Sequence, residues 1–274
     1  MQHTRLFIAM LKWGVAGVAI ATLLAQTFTA VIAFQKVLLS ENSVKEFSEI
    51  LFPDSQMLKR ILTVGIPLGL QSMIITFSNL AVQYNINGFG EDAVAAFAIY
   101  FKAENLIYLP ILAFGQAMIT FTGQNYGAGK YERINKGVNA CIIMEVIYSI
   151  LIMIFSWSVL PKGVQLFAQD PTGELQMIAT QMFRISMWFF VPLGIIFIYR
   201  NVLQGLGNGF VPMLGGVFEL IARALVIKVF FDAFQFTAIC ASDPAAWVSA
   251  LIPLIPSDFA RSSHSFSRTR YLSS

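Results

Sequence analysis

Mostly apolar runs of about twenty residues or more occupy positions 13–39, 61–87, 93–122, 138–160, 178–203, 211–231 and 236–255. A helix needs about 20 such residues to cross a hydrocarbon core of ~30 Å. The pattern therefore predicts an all-α integral membrane protein, a polytopic helical bundle with seven transmembrane helices. The breaks between the runs carry turn formers: Gly88-Phe89-Gly90-Glu91-Asp92, a Gly-rich basic loop from Gly123 to Gly137, a polar loop from Pro161 to Gly173, and Gly205-Leu206-Gly207-Asn208-Gly209 ahead of Pro212. The first run is too long for a signal peptide and has no small-residue cleavage site leading into a soluble domain.

Between the first two runs, 41–60 is amphipathic, with Val44, Phe47, Ile50 and Leu51 on a helical period. It predicts a surface helix on the cytoplasmic face. The Ser/Arg-rich tail at 257–274 has no apolar periodicity and is expected to be disordered.

Composition agrees with the pattern. Of 274 residues, 57% are hydrophobic and 12% charged, against about 25% charged in soluble domains. A net charge of +3 gives no argument for nucleic acid. The distribution of basic residues matters more. Lys36, Lys45, Lys59, Arg60, Lys130, Arg133, Lys136, Arg261, Arg268 and Arg270 fall on one side of an alternating topology, while Arg5, Lys12 and Lys162 fall on the other, with Lys228 near a helix end. The positive-inside rule makes the first side cytoplasmic, the N-terminus external and the C-terminus internal. Cys141 and Cys240 have no metal or redox spacing, and His3 and His264 sit in terminal segments. No zinc pattern, Ser/His/Asp set or P-loop is present, so neither an enzyme nor a metal site is expected.

Three stretches carry a resemblance: Gly123-Gln124-Asn125-Tyr126-Gly127-Ala128-Gly129-Lys130; Arg200-Asn201-Val202-Leu203-Gln204-Gly205-Leu206-Gly207-Asn208; and Trp13 to Thr22. In order and spacing the chain resembles the multidrug and toxic compound extrusion (MATE) family of transporters, from about Leu6 to about Pro256. The resemblance implies two six-helix lobes that open alternately to each side of the membrane. In its terms 1–39 is the last helix of an otherwise missing N-terminal lobe, 40–60 a cytoplasmic linker, 61–256 a six-helix C-terminal lobe and 257–274 the tail. It implies export of organic, cationic or amphipathic compounds by proton or Na+ antiport, across a bacterial plasma (inner) membrane. The partners are the lipid bilayer, small-molecule substrates and a complementary N-terminal lobe, with no cofactor beyond the coupling ion. Two alternatives stand beside it. One is a flippase of lipid-linked sugars, which would need a basic cavity built from Arg184, Arg200 and Arg223. The other is a truncated, non-transporting fragment or a half-transporter that needs a partner.

Some members of the family place a glutamate after the Gly-x-Pro entry of the helix equivalent to 61–87. Here Gly65-Ile66-Pro67 is followed at that place by Ile75 and Thr76, and 178–203 holds no carboxylate. That sodium arrangement is therefore not carried over.

The residues themselves suggest a pathway. Ser72, Thr76, Asn79 and Gln83 share one face of the second run, and Tyr100, Glu104, Tyr108 and Gly115 one face of the third. Polar groups facing lipid are costly, so both faces point to a cavity or a neighbouring helix. Glu104 is the candidate for proton or cation coupling. Glu219 and Arg223, four apart, suit an intrahelical ion pair. Arg200 is placed to snorkel or to bind the carbonyls of the following turn. Glu145 has no obvious local partner. Gly123, Gln124, Asn125, Gly127, Gly129, Arg200, Gln204 and Gly205 form the family-type loops, and Pro67, Pro110 and Pro192 predict kinks.

Overall fold

The computed structural model describes residues 14–38, 55–167 and 173–255. Among these the chain forms eight α-helices: α1 (Gly14–Leu38), α2 (Ser55–Asn87), α3 (Glu91–Gly127), α4 (Tyr131–Phe167), α5 (Gly173–Ser186), α6 (Phe190–Gly205), α7 (Phe210–Phe234) and α8 (Phe236–Leu254). A 3₁₀ turn, Met187–Phe189, joins α5 to α6 so that together they make one span. Among the described residues seven helical stretches are long and apolar enough to cross a bilayer, as the hydropathy pattern predicts.

The chain divides into two units, Met1–Lys59 and Arg60–Ser274. In the first, α1 exposes Leu23, Leu24, Phe28, Val31 and Phe34, a surface suited to lipid. Of the surface helix expected at 41–60, residues 41–54 lie outside the described residues and Ser55 already opens α2. The tail at 257–274, His3 and His264 also lie outside them.

In the second unit α6 is the central helix. Phe190, Leu193, Ile196 and Leu203 pack with Trp247, Ala250 and Leu254 of α8. On its other side Ile198 and Val202 meet Met118 of α3 and Ile134, Val138 and Cys141 of α4. This burial is why the 178–203 run is apolar nearly all round. By contrast α4 turns Ile143, Ile147, Ile150, Leu151, Ile154 and Phe155 outward, which in a bilayer costs nothing.

Pro192 lies in the first turn of α6, directly after the 3₁₀ turn. Its missing N–H leaves the Trp188 carbonyl without a helical donor, which accounts for the break there. Pro67 and Pro110 lie inside the continuous helices α2 and α3, where membrane helices tolerate proline.

The Gly123–Gly137 loop needs correction. Helix α3 continues to Gly127 and α4 starts at Tyr131, which leaves three residues between them. Gly123, Gln124, Asn125 and Gly127 are helical, and so are Arg200, Gln204 and Gly205 of the second stretch. Tertiary burial of Thr122 and Asn125 outweighs the weak helix propensity of Gly and Asn. Both helices end in the same motif. Lys130 N–H donates to Asn125 and Gly129 N–H to Tyr126, as Asn208 N–H does to Leu203 and Gly207 N–H to Gln204. Gly129 and Gly207 take φ of 70° and 80°, a conformation only glycine adopts cheaply. Asn208 then opens α7, its side-chain oxygen accepting from the N–H groups of Phe210 and Val211.

Candidate functional site

Helices α2, α3, α6, α7 and α8 surround a cavity of about 470 Å3. From α2 it takes Thr76, Asn79 and Gln83, and from α3 Glu104 and Tyr108. Five of the seven polar residues read from the sequence as pathway candidates thus converge on one space. Two do not line it. Ser72 is exposed and donates to the Leu68 carbonyl, as a hydroxyl in a helix does when no polar neighbour is nearer. Tyr100 is buried behind Glu104. Its hydroxyl lies between the Glu104 carboxylate and the Ser186 hydroxyl, 2.9 Å from the latter, and its ring packs edge-on to Phe183.

The charges are arranged across helices. Arg200 of α6 pairs with Glu219 of α7, both buried. Arg223 of α7 pairs with Asp243 of α8 at 2.8 Å and donates to Ser78 of α2 at 2.8 Å. The expected Glu219–Arg223 pair is therefore corrected. Each finds its partner on a neighbouring helix, because both point into a cavity where other helices present opposite charges at closer range. Arg200 is corrected with them. It neither snorkels nor caps the turn but lies buried over Phe197. Among the described lining residues, two guanidinium groups face three carboxyl groups. Glu104 is the one of the three that makes no ion pair; the nearby Arg223 is already engaged by Asp243.

Glu145 also finds a partner. The Ser149 hydroxyl, one turn on, donates to it at 2.6 Å, and its side chain lies against Gly194 of α6 with no accessible surface. The (i, i+4) spacing made Ser149 legible in advance.

The sequence reading passed over Asp243 and Trp247. A carboxylate inside the apolar run 236–255 was a usable signal, since ionisable groups within spans mark functional sites. Trp247, one turn further on, shares its face. The aromatic lining from Phe97, Phe101 and Phe197 carried no such signal, because phenylalanine is common throughout this chain.

The sequence profile of the MatE family matches residues 67–232, which hold the cavity's α2, α3, α6 and α7 residues. The chain belongs to the MatE family. It is 26% identical over 202 residues to the probable multidrug resistance protein YpnP of Bacillus subtilis (strain 168), covering 74% of this chain and 44% of that protein. It is 23% identical over 217 residues to the multidrug export protein MepA of Staphylococcus aureus (strain MSSA476), covering 79% and 47%. Among solved structures, an outward-facing multidrug resistance MATE family transporter of the MOP superfamily superposes with a TM-score of 0.83 at 20% identity, over 96% of this chain and 59% of that one. This MatE-family chain thus spans about half the length of the curated relatives it matches.

The Tyr100 hydroxyl supports Glu104 from behind the cavity. Tyr100→Phe keeps the ring against Phe183 but leaves Glu104 and Ser186 short of a buried partner. The expected loss is about 1–3 kcal/mol, read as a lower thermal unfolding midpoint in detergent. An unchanged midpoint would mean that this hydrogen-bond chain does not form.

Proposed function

We propose that this MatE-family chain forms one lobe of a secondary active transporter in a bacterial plasma membrane. The transporter exports organic cationic or amphipathic compounds in exchange for a proton or Na+, and a complementary lobe supplies the other wall of its pathway. The observation that carries the reading is Glu104. It faces a cavity lined by Phe97, Phe101, Tyr108, Phe197 and Trp247 and makes no ion pair among the described residues, Arg223 nearby being paired to Asp243. A carboxylate beside ring faces attracts a large cation through charge and through the ring quadrupoles. A cavity of about 470 Å3 falls within the range that holds drug-sized molecules.

Antiport follows from the same group. One carboxylate cannot hold a substrate cation and a proton or Na+ together, so loading one releases the other. Thr76, Asn79 and Gln83 of α2 give the cavity hydrogen-bonding capacity for mixed substrates. The flippase reading loses support here. Arg200 and Arg223 are matched by Glu219 and Asp243, and Arg184 does not line the cavity.

The test is binding of tetraphenylphosphonium to the purified chain in neutral detergent, by equilibrium dialysis. Glu104→Gln is expected to weaken binding about tenfold, the loss of one charge interaction of ~1.4 kcal/mol. Protons or Na+ should compete with the probe in the unmodified chain and not in the variant, and the competing ion is the coupling ion. Equal binding by both proteins, with no competition, would remove Glu104 from the mechanism.

A further inference from the structure

Away from the cavity, Arg184 projects from the outer face of α5. That helix buries Leu175, Ala179, Met182, Phe183 and Ser186, so Arg184 stands on the opposite side and is exposed. Its guanidinium lies 5.6 Å from the centre of the Trp157 ring. Trp157 in turn meets Trp188 edge-on, with centroids 6.5 Å apart. Both tryptophans are exposed, at 58% and 60%. Among the described residues no carboxylate pairs with Arg184.

The depth of this cluster follows from helix geometry. From Arg184 to the turn after Gly205 the span has roughly 20 residues, which rise about 30 Å, the thickness of the hydrocarbon core. On α4 the apolar stretch from Val138 to Trp157 has about the same length. Two helices therefore place Trp157, Arg184 and Trp188 at one boundary of the hydrocarbon, at the end opposite the Gly129 and Gly207 turns. Tryptophan is enriched at that level. A guanidinium there, stacked on one ring face, keeps several N–H donors directed at the headgroup layer.

Arg184 itself lines a recess of about 480 Å3 along α5, with Gln176, Met177, Thr180, Gln181 and Ile185. The described lining holds one positive charge, amide and hydroxyl groups, and no carboxylate. We propose that Arg184, with Trp157, Trp188 and this recess, binds the phosphate of an anionic glycerophospholipid from the leaflet on that side. The guanidinium matches a phosphodiester, the tryptophans lie against the glycerol and upper acyl region, and the recess takes the headgroup. A zwitterionic headgroup fits less well, because its ammonium meets no carboxylate among the described lining residues.

The experiment uses the full chain in neutral detergent, with lipid adducts read by native mass spectrometry. Phosphatidylglycerol should bind at one tight site in preference to phosphatidylcholine. Arg184→Gln should lose that site's preference, about fivefold in affinity, while Arg133→Gln at the opposite end should keep it. Arg184 is exposed, so the variant retains its fold, which circular dichroism checks. Equal phosphatidylglycerol binding by Arg184→Gln would overturn the site. Displacement of the lipid by equimolar inorganic phosphate would also overturn it, by making it a free-anion site.

Discussion

Arg200→Met is expected to destabilise the chain by about 3–5 kcal/mol, because it leaves the Glu219 carboxylate buried without its counter-charge. Both side chains are less than a tenth exposed, and they come from different helices. They pair across the contact between α6 and α7, at the wall of the cavity. The double variant Arg200→Met/Glu219→Leu should recover most of the loss, since an apolar pair of similar volume costs little in a low-dielectric interior. A double-mutant cycle on thermal unfolding in detergent measures the coupling directly. The cycle for Glu219 with Arg223 should show much weaker coupling, because Arg223 spends its donors on Asp243 and Ser78. The opposite ranking would restore the intrahelical pair that (i, i+4) spacing suggests.

Gly205→Ala should cost about 1–3 kcal/mol through overpacking. A β-carbon there would lie 2.7 Å from the Ile119 carbonyl oxygen and 2.9 Å from the Thr122 Cβ. The first is backbone and the second is fixed to it, so no side-chain rotation relieves the clash and α3 must move away from α6. Membrane helices use small residues for such close approach. Gly127→Ala is the matched comparison. It ends α3 with nothing within 4 Å of its would-be β-carbon, and alanine favours helix, so its stability should hold or rise slightly. Unfolding midpoints of the two variants decide this. An unchanged Gly205→Ala protein would show that α3 and α6 do not meet there.

These glycines show how far the sequence reading reached. Gly123-Gln124-Asn125 and Gln204-Gly205 read as loops because Gly and Asn are weak helix formers. Their role became visible only when Thr122 and Ile119 were seen against Gly205. The polar faces fared better. Thr76, Asn79, Gln83, Glu104 and Tyr108 reach one cavity because a polar stripe in a membrane helix must face away from lipid, whatever its neighbours are. Ser72 lies outside the cavity and meets its hydrogen-bonding need on its own helix. Asp243 was accessible to the same logic, and the reading passed it over.

By itself the sequence determined that this is a membrane protein, with seven candidate spans among the described residues, and which helix faces are polar. Those properties depend on the local chain alone, since each span must satisfy its backbone within itself and present an apolar surface to lipid. Only the tertiary structure decided which charges neutralise one another. Arg200 and Glu219 lie 19 residues apart, and Arg223 and Asp243 lie 20 apart, each pair on two helices. Their meeting depends on how the helices are rotated and packed against one another. Among the described residues lining the cavity, that rotation leaves Glu104 as the carboxylate with no ion pair, so the candidate site emerges from the packing of the helices rather than from any motif.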